Sequence, residues 1–291
     1  MMHRLISTLA LLLLPAFASQ AQPVRISDDH GRDIVLPGPA QRIVSLAPHV
    51  TELLFAAGAG RQVVGAVDYS DHPPTAGALP RVGGYHRIDI ETVLSLRPDV
   101  VIGWGEGNRP AELEQLRAAG LAVFVNDPHT LDDIARSLEH FGTLAGTADR
   151  AQAAARAFRQ RRDALAARYA RGTPVRVFYQ LWNTPLMTAG GAHLISSVIE
   201  LCGGRNVFAA LAAQTPSVGV ESVLAADPQV IIASGMDTAR PEWLDDWRRW
   251  PTLQAVRAGH LFHIPPELIQ RHSPRVLDGA QLLCEQLDGT R

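Results

Sequence analysis

TADRAQAAARAFRQRRDALAARYAR, residues 147–171, reads as one unbroken helix. Alanine and arginine, both strong helix formers, dominate the run, and neither glycine nor proline interrupts it. At ~1.5 Å per residue it would span roughly 37 Å, about the width of a small domain, so it can reach from one lobe to another. The segments on either side resemble each other. IETVLSLRPDVVIGW (90–104) lies upstream and VESVLAADPQVIIASG (220–235) downstream. Each gives an acid, an amphipathic helical turn, a proline that stops it and an apolar strand. Aligned without a gap, Glu91 falls on Glu221, Leu94 on Leu224, Pro98 on Pro228 and Ile102 on Ile232. A fainter echo relates LRAAGLAVFV (116–125) to AVRAGHLFHI (255–264). The expected fold is therefore α/β, with two Rossmann-like lobes, each around a mostly parallel sheet, joined by one long helix. The lobes are 22–146 and 172–291, with the helix at 147–171.

Strands alternate with helices throughout, as in a parallel sheet covered on both faces. In the first lobe, strands are expected at 42–46, 63–67, 99–104 and 122–126, and helices at 48–58, 89–97, 110–119 and 130–145. In the second, strands are expected at 175–180, 229–234 and 260–265, and helices at 192–202, 220–226, 241–249 and 274–287. Residues 22–41, with the turn-rich LPGPAQ, suit a leader strand or turn on the first lobe.

The 291 residues exceed a typical single core, and 46% of them are hydrophobic, so two domains can be filled. The 27 basic residues, all arginine, face 29 acidic ones and do not cluster, which argues against a nucleic-acid face. His3 and Arg4, the apolar LISTLALLLL and the small residues of AFASQA form an export signal, with cleavage expected after Ala18 or Ala21. The apolar run falls short of the roughly 20 residues a bilayer span needs. No cysteine follows at a lipidation position, so a soluble exported protein is expected. In an oxidising compartment Cys202 and Cys284, both in the second lobe, are candidates for a disulfide, with two buried thiols as the alternative.

The sequence has no G-x-S-x-G, no P-loop, no H-E-x-x-H and no C-x-x-C, and it does not read as an enzyme. GAGRQVVG (58–65) lacks the third glycine of a dinucleotide fingerprint and follows a helix instead of a strand. The eleven histidines are scattered, none at i, i+4 on an expected helix, so no metal site and no cofactor is expected. His49, His193 and His272, near strand ends or loops, stay as candidates. Tyr69, Tyr85, Trp104 and Trp182 fall in or near loops after strands, where open α/β sheets bind ligands. With Glu267 and Arg271 they could line a cleft between lobes, as flat walls with polar tips for a large, partly apolar ligand.

SLAPHVTELLFAAG, YSDHPP and RVGGYHRIDIETVLSLRPDVVIGW resemble the periplasmic substrate-binding proteins with a single helical backbone, which serve ABC importers of iron-siderophores, haem and cobalamin. ELCGGRNVF, VESVLAADPQVII and QRHSPRVLDGAQLLC are similar to the cobalamin-binding members, whose two cysteines occupy matching places. The resemblance covers about 42–288. It implies capture of cobalamin or a related corrinoid as cargo and delivery to an inner-membrane permease dimer with its ATPase, by a periplasmic protein that is a monomer when free. A haem or iron-siderophore carrier of the same fold is the alternative. It also implies that Tyr69, Tyr85 and Trp104 are aromatic contacts, with Tyr85 replacing a tryptophan. Glu267 stands for an aspartate, and Arg271 would hydrogen-bond corrin amides. Thr215 stands where a cleft tryptophan is expected and Leu181 where a phenylalanine is; Trp182 could supply the missing ring. Glu91 and Glu221 match the lobe-top carboxylates that meet permease arginines, one per repeat, as a symmetric partner requires.

Overall fold

The computed structural model describes residues 22–84, 87–235 and 239–291; the expected export signal lies outside them. The first lobe opens with an antiparallel hairpin, β1 (Val24–Ser27) and β2 (Asp33–Leu36). There follow β3 (Ile43–Ser45), α1 (Pro48–Ala56), β4 (Val63–Ala66), the short pair β5 (Gly83–Gly84) and β6 (Arg87–Ile88), α2 (Ile90–Ser95), β7 (Val100–Trp104), α3 (Pro110–Ala118), β8 (Val123–Asn126) and α4 (Leu131–Ala145). Its sheet has the order β4-β3-β7-β8 and is parallel throughout. Helices on both faces explain why strands such as VVIGW and VFVN are buried along nearly their whole length.

The long helix, α5 (Ala148–Tyr169), has 22 residues and so spans roughly 33 Å. It is not a bare rod. Ala151, Ala155, Phe158, Leu165 and Tyr169 are buried at spacings of four, three, seven and four residues, a narrow seam on an otherwise largely exposed helix. One apolar core runs along that seam from Phe141 and Leu144 of the first lobe to Ile195 and Leu283 of the second. Arg159 pairs with Glu139 of α4 at 2.6 Å, and Arg161 pairs with Asp278 of the second lobe at 2.6 Å.

The second lobe contains β9 (Val175–Asn183), β10 (Leu186–Thr188), α6 (Leu194–Leu201), β11 (Gly204–Asn206), α7 (Val220–Ala226), β12 (Val230–Ala233), α8 (Gln254–Ala258), β13 (Leu261–His263), α9 (Pro266–Ile269) and α10 (Val276–Asp288). Strand β9 pairs with β12 on one side. Its other side is shared between parallel β11 at its start and antiparallel β10 at its end. That hairpin partner carries β9 three residues beyond the expected end at 180. Residues Glu242–Arg249 form a 3-10 helix in place of the expected α-helix. Leu244 and Trp247, three apart, are its buried pair, which suits a helix with three residues per turn.

The internal repeat extends to the backbone. Arg97 and Asp227, equivalent in the ungapped alignment, both take left-handed conformations, with φ of +45° and +40°, just before the matched prolines. Gly120 and Gly259, equivalent in the fainter echo, end their helices at φ of +87° and +73°. Cys202 and Cys284 form a disulfide that ties the end of α6 to α10. Among the described residues, no helix is long and apolar enough to cross a membrane.

Candidate functional site

A cleft of about 730 Å³ opens between the lobes. The first lobe lines it with His49 at the start of α1, Tyr69 and Asp71 beyond β4, and Trp104 at the end of β7. The second lobe faces these with Glu267, Gln270, Arg271 and His272, on and just after α9. Tyr69, Trp104, Glu267 and Arg271 are thus brought together. Tyr85 lies outside the described residues. Trp182 sits on the β9–β10 hairpin, 36% exposed, its ring N–H donating to the Thr184 carbonyl, and is not among the lining residues. Leu181 packs half-buried against the core, and Thr215 is exposed.

Tyr69 is 75% exposed and holds a φ of +61°, a conformation that costs a non-glycine residue roughly 1–2 kcal/mol. A large ring held out in water on a strained backbone is a site for a partner to cover. Trp104 is fixed from behind. The Asn108 side chain accepts from its main-chain N–H at 2.7 Å and donates to the Leu46 carbonyl at 3.0 Å. Gly107 lies so close to the indole that any side chain there would collide with it.

Both lobes contribute to an aromatic floor. The His49 ring meets Trp104 edge-on at 5.2 Å and His272 at 5.6 Å, while Trp104 and His272 lie 6.0 Å apart. Burial pushes His49 well below its ordinary value, and the facing His272 adds to the shift. Burial, with His193 and His129 nearby, takes His272 down to about 3. His193, buried and near His129, falls to about 4, and its Nδ1 accepts the Ile195 amide N–H at 3.1 Å. These imidazoles are neutral at neutral pH, so they present donors, acceptors and ring faces without charge.

Behind the floor, one carboxylate joins the lobes. Glu52 of α1, with a side chain 2% exposed, accepts from Arg271 Nη1 at 2.9 Å, Ser273 Oγ at 2.6 Å and Arg275 Nε and Nη2 at 3.1 and 3.2 Å. Arg271 Nη1 also donates to Asp71 at 2.8 Å. Burial alone would raise Asp71, but the hydrogen bond and charge of Arg271 outweigh it and hold the carboxyl below its ordinary value. Arg271 is therefore a structural tie between the lobes through Nη1. Among the described residues, no hydrogen bond engages its Nε or Nη2. Sequence reasoning missed Glu52. The available signal was an acid inside the apolar helix PHVTELLFAAG with no arginine one turn away.

Glu91 and Glu221 occupy matching places, each the second residue of its helix, α2 or α7, and each exposed. A hollow beside Glu91 is lined by Asp89, Glu112 and Arg87, a predominantly acidic rim. Asp89 caps α2 by accepting the Thr92 N–H at 3.0 Å, so the local helix start is served by another acid and Glu91 is left to solvent.

The sequence profile of a family described as "Periplasmic binding protein" matches residues 43–268. A vitamin B12-binding protein of Vibrio cholerae serotype O1 is 40% identical over 252 residues, 86% of this chain and 90% of that protein. The crystal structure of the periplasmic vitamin B12 binding protein BtuF of Vibrio cholerae superposes with a TM-score of 0.79 at 39% identity, covering 87% of this chain and 98% of the other. A periplasmic heme binding protein from Pseudomonas aeruginosa superposes with a TM-score of 0.74 at 27% identity, covering 84% and 91%.

Proposed function

Because the chain belongs to the periplasmic binding protein family, we propose that it captures cobalamin or a related corrinoid between its lobes in the periplasm and delivers it to an ABC importer. The cleft carries this reading. Its exposed Tyr69 and its Trp104 offer flat apolar surface, and Glu267, Gln270 and the free nitrogens of Arg271 offer polar tips suited to a macrocycle fringed with amides. The protein does no chemistry on its cargo. Affinity comes from burying the macrocycle with little closure, since α5 and the Glu52 tie both resist hinge motion. Delivery uses Glu91 and Glu221 as paired contacts for arginines of a permease dimer with its ATPase. The protein is a monomer when free, and its leader is removed on export.

Calorimetry with cyanocobalamin, cobinamide and hemin tests the reading. Micromolar or tighter binding of a corrinoid is expected, and no heat with either corrinoid would overturn it. The neutral His49 and His272 at the cleft floor favour one second reading, a haem carrier with an imidazole iron ligand. A shifted, sharpened Soret band with hemin would select it. Exchanging both Glu91 and Glu221 for Arg should leave corrinoid affinity unchanged and abolish uptake in cells. Persistent uptake would refute the docking role.

A further inference from the structure

We propose that the first lobe also carries a divalent transition-metal site, formed by Glu106, Asp127 and His129 and completed when the exposed ring of neighbouring His30 turns in, suited to zinc. One ligand atom from each of Glu106, Asp127 and His129 lies within 4.8 Å of the others. His129 approaches Glu106 through Nδ1 at 3.6 Å and Asp127 through Nε2 at 3.6 Å, and His30 Nε2 lies 3.0 Å from Asp127 Oδ2. A zinc takes one nitrogen of an imidazole and, with bonds of ~2.0–2.1 Å, holds neighbouring donors ~3.3–3.4 Å apart, so His129 would bind through one of its two nitrogens, and the exposed His30 ring, outside that group of three, must turn in to complete the shell. The sequence shows no metal pattern because the donors come from three separate turns: the β1–β2 turn, the loop after β7 and the loop after β8. The last two leave adjacent parallel strands at their carboxyl ends.

The cluster is held in place by contacts of its own. The Asp127 side chain is 11% exposed, its Oδ1 accepts the Glu106 main-chain N–H at 3.2 Å, and its own N–H donates to Asp29 at 2.7 Å. The Gln214 side-chain amide, from the second lobe, lies with its nitrogen 3.3 Å from His129 Nδ1; turned over, its oxygen would accept the Nδ1–H and orient the ring for ligation through Nε2. The other three donors remain reachable from water, with side chains 53%, 44% and 36% exposed for His30, His129 and Glu106. Two imidazoles with two carboxylates select zinc and similar ions over calcium or magnesium, which take all-oxygen shells. None of the four residues lines the cleft between the lobes, although His129 is near His272 at its floor, so the site adjoins the one assigned to the corrinoid without sharing its residues.

Titration of the untagged, chelator-treated chain with zinc chloride tests the proposal by calorimetry, and cobalt(II) reports geometry through its visible spectrum. One zinc per chain and the intense absorption of four-coordinate cobalt are expected. His129→Ala and Glu106→Gln should each weaken zinc binding ~10-fold or more, since loss even of outer-shell partners costs that much. The Glu106 side chain makes no hydrogen bond among the described residues, so Glu106→Gln should melt like the parent, whereas His129→Ala also gives up the contact with Gln214 and is read beside it. His260→Ala, whose ring stacks on Phe262 elsewhere in the chain, should bind zinc like the parent. No zinc binding, unchanged affinity in the two ligand variants, or a pale six-coordinate cobalt spectrum would each overturn the site.

Discussion

Replacing Glu52 by Gln removes the charge from the centre of the tie between the lobes while keeping its shape. The carboxylate is 2% exposed and satisfied by two guanidinium groups and a hydroxyl. Removing one member of such a buried set costs about 3–5 kcal/mol when its partners are left dry. Here Arg271 and Arg275 are 19% and 22% exposed, so water can partly solvate them, and the glutamine carbonyl still accepts one hydrogen bond. The expected loss is therefore about 2–3 kcal/mol, or roughly 4–5 °C in melting temperature for a chain of this size. Urea unfolding of the disulfide-intact protein, followed by circular dichroism, measures it. A double-mutant cycle with Arg275→Gln should give a coupling of about 1 kcal/mol or more. A loss below about 0.5 kcal/mol, or additive single changes, would refute the view that this carboxylate locks the lobes together.

His49, His193 and His272 all have folded values below that of the unfolded chain, so the unfolded state takes up protons first as pH falls. Their contribution is fully present above pH ~6.5 and declines below it by up to ~1.4 kcal/mol per pH unit for each ring, until pH nears about 4 for His193 and about 3 for His272. His272→Gln should flatten this fall, measured as urea midpoints between pH 4 and 7; an unchanged slope would contradict the assignment. Trp104→Ala should weaken cyanocobalamin binding by roughly 10-fold or more, as loss of a central aromatic anchor does, and calorimetry showing parental affinity would remove the indole from the site. Cys202→Ser with Cys284→Ser should lower stability by about 4–5 kcal/mol, because the bond closes a loop with a sequence separation of 82, and a much smaller loss would mean that the reduced chain stays compact.

The architecture was legible where its causes are local. Alanine-rich α5 declares itself through propensity, and β7 and β12 through short apolar runs stopped by matched prolines. The export compartment made the disulfide an open choice that the fold then decided. Contacts between distant segments were not legible. Glu52 meets Ser273 across a separation of 221 residues, and nothing near PHVTELLFAAG announces its partners. His49 and His272 could be singled out one at a time, but their approach beneath the cleft depends on how both lobes pack on α5. The proposed zinc ligands come from three turns whose convergence requires the strand order β3-β7-β8. Trp182 was expected near the ligand as a large ring after a strand, yet the β9–β10 hairpin extends the strand and carries the ring elsewhere.

The unbroken course of α5 makes the molecule's geometry sensitive to chain length at one place. Each residue inserted between Ala148 and Tyr169 would turn one half of the protein by ~100° about the helix axis and shift it ~1.5 Å along it. A single insertion would therefore change where Glu221 stands relative to Glu91 and part the cleft walls, even with every other contact in each half preserved. The helix acts as a protractor, and descendants of this chain are free to lengthen surface loops but not this segment.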